Sequence, residues 1–132
     1  MKTIIKNMKT IIKSVIISFF VLSLNLTSNL FAKPKFDDGI LVGAKEMTLY
    51  TYDKDTKGSG KSVCNDDCAK RWPPYLATDK DKAADKFTIV TRDDGKKQWA
   101  FDGKPLYYWA EDMKKGDKTG DNRSNVWHII KK

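Results

Sequence analysis

At 132 residues the chain has room for one small domain and not for two. Its 25 basic and 17 acidic side chains give a formal charge of +8, which invites a nucleic-acid reading that the distribution of charge argues against. Four of the lysines fall in the first 32 residues; removing them from 25 leaves 21 against 17, a net +4 for residues 33–132. There the signs alternate, as in Asp79-Lys80-Asp81-Lys82, which describes a solvated surface better than a phosphate-binding stripe.

Residues 1–32 read as a signal peptide. Lys2, Lys6, Lys9 and Lys13 form a positive leader, Val15 to Leu26 is an apolar run, and Leu30-Phe31-Ala32 is a serviceable cleavage site. The run is shorter than the roughly 20 apolar residues that a membrane helix needs, so no stable span is expected after cleavage. Export to the periplasm or the medium follows, with residues 33–132 as a single β domain. All four Trp and all five Tyr lie in that part.

In chain order, Lys33 to Asp38 is expected to be a polar, loosely held leader. Ile40-Leu41-Val42 reads as a strand between two glycines, and Ala44-Lys45-Glu46 as the turn into a second strand, Met47 to Tyr52. In that strand Met47, Leu49 and Thr51 face one way and Thr48, Tyr50 and Tyr52 the other. Cys64 to Trp72 is a candidate for one or two helical turns, with Asn65 or Asp66 as N-cap and Pro73-Pro74 as the stop. Residues 76–86 read as a charged connector. Phe87 to Thr91 and Lys97 to Phe101 form a hairpin about Asp94-Gly95, a strong turn signal, and Asp102-Gly103 repeats it. Lys114 to Asn122 reads as a mobile polar loop, and Val126 to Ile130 as a closing strand. Frequent turn signals point to a mainly antiparallel β domain with one short helix around Cys64–Trp72.

One cassette occurs twice. Leu49-Tyr50-Thr51-Tyr52-Asp53-Lys54-Asp55 returns 57 residues later as Leu106-Tyr107-Tyr108-Trp109-Ala110-Glu111-Asp112, and Asp-Asp-Gly precedes both copies. The near-constant offset implies two tandem units, about 38–75 and 87–130. The Tyr-x-aromatic-x-x-Asp motif resembles that of the bacterial "secreted repeat of unknown function" family, predicted lipoproteins with a Tyr-x-(Phe/Trp/Tyr)-x-x-Asp motif. Cys64-x-x-x-Cys68-Ala69-x-x-Trp72-Pro73-Pro74 is similar to a second segment of that family. Asp94-Gly95-x-x-Gln98, followed by Gly103-x-Pro105-Leu106-Tyr107, is similar to a third. The resemblance covers about residues 38–130 and implies a tandem repeat outside the cytoplasm. It carries no activity to transfer. A lipobox Cys is missing, so the likeness to lipoproteins does not extend to a lipid anchor.

Candidate site residues follow from chemistry. Cys64 and Cys68, the only cysteines, are expected to form a structural disulfide in an oxidising compartment; a redox pair or a metal site are the alternatives. Asp53 to Gly58 begins like a calcium loop, but Lys57 and Cys64 stand where ligands should be, so a capped turn is expected. The motif acids Asp55 and Asp112 are expected to cap the loops that follow their strands, and Tyr50, Tyr52, Tyr107 and Trp109 to pack as cross-strand aromatics. Trp72, Trp99, Trp127 and His128 are the candidate ligand-binding residues.

With no nucleophile–base pair and no phosphate loop, the expectation is a non-enzymatic module that binds a small ligand or an envelope component. No cofactor, metal or nucleic acid is expected. The alternative is a periplasmic electron-transfer accessory holding haem or copper, with His128 as an axial ligand and Met47 or Met113 opposite.

Overall fold

The computed structural model describes residues 32–132, so the stretch expected to be a signal peptide lies, except for Ala32, outside the described residues. Among those residues no helix is long and apolar enough to cross a membrane. The fold is mainly β: strands β1 (Lys35–Asp37), β2 (Ile40–Val42), β3 (Tyr50–Tyr52), β4 (Phe87–Thr91), β5 (Lys97–Phe101), β6 (Lys104–Pro105) and β7 (Trp127–Ile129). The one α-helix is α1 (Asp67–Arg71), and short 3₁₀ turns occupy Ala44–Glu46 and Arg123–Asn125. The strands make three small antiparallel sheets, β1-β2, β3-β7 and β4-β5-β6, rather than one. Single bridges tie them together, Tyr50 to Tyr107 and Leu76 to Gln98 among them.

Asp-Gly pairs make the tight turns. Asp38 and Gly39 join β1 to β2, and Asp102 and Gly103 join β5 to β6, with positive φ at both positions of each pair (50° and 77°; 49° and 80°). That is the backbone twist a two-residue hairpin requires. The β4–β5 hairpin is one residue longer, with Gly95 at φ 83° and the Arg92 N–H bonded to Lys96 O at 2.8 Å.

Three expectations need correction. Lys33 to Asp38 is not a loose leader: Lys35–Asp37 pairs in register with β2, because the Asp38-Gly39 turn folds the chain straight back. The connector at 76–86 begins too early. The two prolines that stop α1 leave the chain extended, so Tyr75 donates to Leu106 O and Ala77 to Lys97 O, and the linker proper starts at Thr78. The loop at Lys114–Asn122 is held, not free. Asp117 accepts from the Met113 and Lys114 N–H groups, and the Thr48 hydroxyl donates to Asp117 O at 2.7 Å.

Two apolar cores lie on opposite faces of the paired cassettes. Leu49 and Leu106 enter the first, with Leu41, Tyr75 and Trp99. Tyr50 and Tyr107, the next residue in each copy, enter the second with Cys64, Trp72, Trp109 and Trp127. Neighbours on an extended chain point to opposite faces, so the Leu-Tyr pair is what lets each copy serve both cores.

Candidate functional site

The two cassettes meet at their tyrosines. Tyr50 N–H donates to Tyr107 O at 2.8 Å and Tyr107 N–H to Tyr50 O at 3.0 Å, a reciprocal antiparallel bridge. The side chains exchange partners in the same way. The Tyr50 hydroxyl donates to Asp112 Oδ2 and the Tyr107 hydroxyl to Asp55 Oδ2, each at 2.6 Å. Each repeat thus supplies the phenol for the other repeat's carboxylate, as an approximate two-fold axis between the tyrosines demands.

Each carboxylate uses its second oxygen on its own loop. Asp55 Oδ1 accepts from Val63 N–H at 2.8 Å; Asp112 Oδ1 accepts from Thr119 N–H at 3.0 Å and from its hydroxyl at 2.6 Å. Around Asp55 the network continues inward. Tyr107 shares a 2.6 Å contact with Ser62 Oγ, which accepts from Arg92 Nη1 at 3.1 Å. Arg92 is buried and also donates to Gln98 Oε1, Cys64 O and Asn65 Oδ1. Two hydroxyls therefore relay between a buried guanidinium and a buried carboxylate, which spares both from facing an apolar interior unpaired. Burial holds the Asp55 carboxyl above the ordinary carboxylate range, against the pull of Tyr107, Val63 and Arg92. Burial first, and then the carboxylate partner, pushes the Tyr50 and Tyr107 phenols far up.

Against this clamp stands a column of four rings: Tyr52, Trp127, Trp72, Trp109. Tyr52 stacks on Trp127 at 4.1 Å between centroids, Trp127 on Trp72 at 3.8 Å, and Trp72 on Trp109 at 4.1 Å with a 34° tilt. The order is symmetric in the repeats, with Trp72 and Trp127 inside and the motif aromatics Tyr52 and Trp109 outside. Tyr50 meets Trp72 edge-on and Tyr107 meets Trp127 edge-on, at 5.4 and 5.2 Å. Gly120 must be glycine: a Cβ there would lie 2.8 Å from Trp72 and 2.9 Å from Trp109. Cys64 and Cys68 are joined at a Cα separation of 5.2 Å and pack on the same cluster.

Beside the column opens a cleft of about 320 Å³. All four rings line it, with Val126 and Cys68, and three cations stand at its walls: Lys54, Arg71 and Arg123. Arg123 lies 4.7 Å from the Trp109 ring centre, closing that end of the column, and 3.6 Å from Glu111. The Trp109 indole N–H is buried without a partner.

The fold separates the four candidate ligand-binding residues. Trp72 and Trp127 stand in the cleft. Trp99 does not; β5 turns it into the other core, where it is 1% exposed. His128 faces away from the column, with Nε2 2.7 Å from Asp53 Oδ2 and Nδ1 3.2 Å from Asn122 Oδ1. Arg92, Lys54, Arg71 and Arg123 carry no sequence signal of their own, being single cations among 25. Among the described residues no group of three or more His, Cys, Asp or Glu side chains is placed to hold a metal ion.

Two short β units that trade phenol–carboxylate bonds define a tandem-repeat β protein. The family model described as "Secreted repeat of unknown function" matches residues 35–75 and 88–131, the same two units, and the chain belongs to that family. No curated protein matches the chain, and neither does any solved structure.

Proposed function

We propose that this protein is a non-enzymatic binding module of the bacterial envelope, exported through residues 1–32 to the periplasm or beyond, with the cleft between the repeats as its ligand site. The observation that carries the reading is the joining of aromatic surface and three cations in one hollow shared by both repeats. At about 320 Å³ it lies at the lower end of small-molecule sites. The carboxylates that a hydrolase would need are otherwise occupied: Asp55 and Asp112 each bind a phenol and a backbone N–H. The test is a thermal-shift screen of envelope sugars, peptides and lipid headgroups against the natural protein and a Tyr52→Ala, Arg123→Ala variant. At least one compound raises the melting temperature of the first and not of the second. Turnover of any small substrate, abolished by one side-chain change, would remove the reading.

A second reading, electron transfer, is favoured by the ring column, whose 3.8–4.1 Å spacings give continuous π contact. Two features weigh against its haem or copper form. Both ring nitrogens of His128 are engaged by side-chain oxygens, and Met113 is 83% exposed in the repeat-two loop. The absorption spectrum of protein purified from its native host separates the two: a Soret or blue-copper band revives the cofactor reading, and a featureless visible region leaves the binding module.

A further inference from the structure

Building on the cleft reading, we propose that the site selects small anions, a carboxylate or phosphate group carried on a flat apolar body. Three separate segments bring a cation to the cleft: Lys54 follows β3, Arg71 ends α1, and Arg123 opens the second 3₁₀ turn. No acidic side chain lines it. Elsewhere on the surface, lysines sit within ion-pair distance of acids, as Lys57 does with Asp102, Lys61 with Asp93 and Lys97 with Asp79. Of the three cleft cations Arg123 has such a partner, Glu111 at 3.6 Å, while Lys54 and Arg71 have none among the described residues. A hollow of one charge sign with low-dielectric walls concentrates ions of the other sign. The rings add to this. Trp72 and Trp127 each have a neighbour stacked on both faces, so each offers the cleft only its edge. An aromatic edge is the positive part of the ring quadrupole. Cations and ring edges favour the same sign of ligand, and the volume of about 320 Å³ suits a ligand of one or two rings.

The four indole N–H resonances supply a test with an internal control, because Trp99 lies in the other core. ¹⁵N-labelled full-length secreted protein is titrated with benzoate and phenyl phosphate, and with the neutral counterparts benzyl alcohol and phenol. The expected result is movement of the Trp72, Trp109 and Trp127 signals with the two anions, at concentrations where the neutral compounds leave them in place, while Trp99 stays fixed throughout. The tighter of the two anions identifies the head group. Lys54→Ala and Arg71→Ala, both exposed positions, each weaken the anions roughly threefold to tenfold, and added salt weakens them further. An unchanged Trp99 signal certifies that the variants remain folded. Equal shifts with the neutral compounds, or indifference to the loss of both cations, overturn anion selectivity and leave the cleft a binding site. Silence of all three resonances with all four compounds overturns this inference and counts against the cleft as well.

Discussion

The two phenol–carboxylate bonds have the same length and chemistry but stand in different surroundings. Tyr107–Asp55 is backed by a buried arginine, a serine and a disulfide-closed loop. Tyr50–Asp112 is backed by Thr119, the Gly120 N–H and a loop with no covalent closure. Ser62 and Thr119 lie 57 residues apart, the cassette offset, and so do Cys64 and Asp121. Where repeat one spends a cysteine, repeat two has an acid whose side chain accepts from Ile129 N–H at 3.0 Å. The lesson is that the tyrosine clamp is the invariant part of the architecture. Either ionic and covalent bracing or neutral hydrogen bonds can hold the loop behind it.

The sharpest way to break that comparison is to remove each carboxylate in turn. Asp55→Ala strips an acceptor from Tyr107 and Val63 and removes the carboxylate at the far end of the relay from buried Arg92 through Ser62 and Tyr107, so a loss of about 3–5 kcal/mol is expected. Asp112→Ala leaves neutral donors unmet and costs about 1–3 kcal/mol. Urea unfolding measures both, and equal losses would show that Arg92 adds nothing to repeat one. Gly120→Ala probes the column from the repeat-two side. Its methyl group must part Trp72 from Trp109, for a loss of up to about 3 kcal/mol, with a change in near-ultraviolet dichroism. Replacing Cys64 and Cys68 together by Ser opens a very short loop, and the expected cost is about 2 kcal/mol. The same urea midpoint should fall on adding reductant to the natural protein and stay put in the double variant.

The smallest effects are those of pH, and they separate the two clamps at opposite ends of the scale. Because the Asp55 carboxyl is raised in the folded state, its contribution is fully present below the unfolded value of about 4 and declines as pH rises through the folded one. Asp55→Asn, which keeps the side chain neutral, should flatten the stability curve in that weakly acid window. The raised phenols act in alkali. Their contribution is present below the unfolded value of about 10 and is lost above it. Tyrosinate absorbance from Tyr50 and Tyr107 should therefore grow in together with unfolding, not ahead of it.

Much of this architecture could be read from the chain. The Asp94-Gly95 hairpin, the short helix stopped by Pro73-Pro74 and the strand at Trp127 are local features, and local signals announce them. The Asp-Gly pair at 38–39 was an equally good signal, but the charged, proline-containing stretch before it hid β1. The site was less legible. A repeat presents each copy as self-sufficient, so the exchange of Tyr50 to Asp112 and Tyr107 to Asp55, across 62 and 52 residues, has no local trace. Nor does Arg92, whose importance comes from where the β4–β5 hairpin buries it. Trp99 was misplaced for the opposite reason. Its residue type suggested the aromatic cluster, while strand alternation alone decided which core received it.

The reciprocal bonding has a consequence for ancestry and for division of the chain. Residue i contacting j while the counterpart of j contacts the counterpart of i is the signature of an isologous homodimer. A polypeptide with a single copy would bury a phenol and a carboxylate with nothing to meet them until a twin arrived, and its folding would depend on concentration. Fusion in tandem makes that encounter intramolecular. The two halves, produced as separate polypeptides, should accordingly be unstructured alone and recover their shape only when mixed.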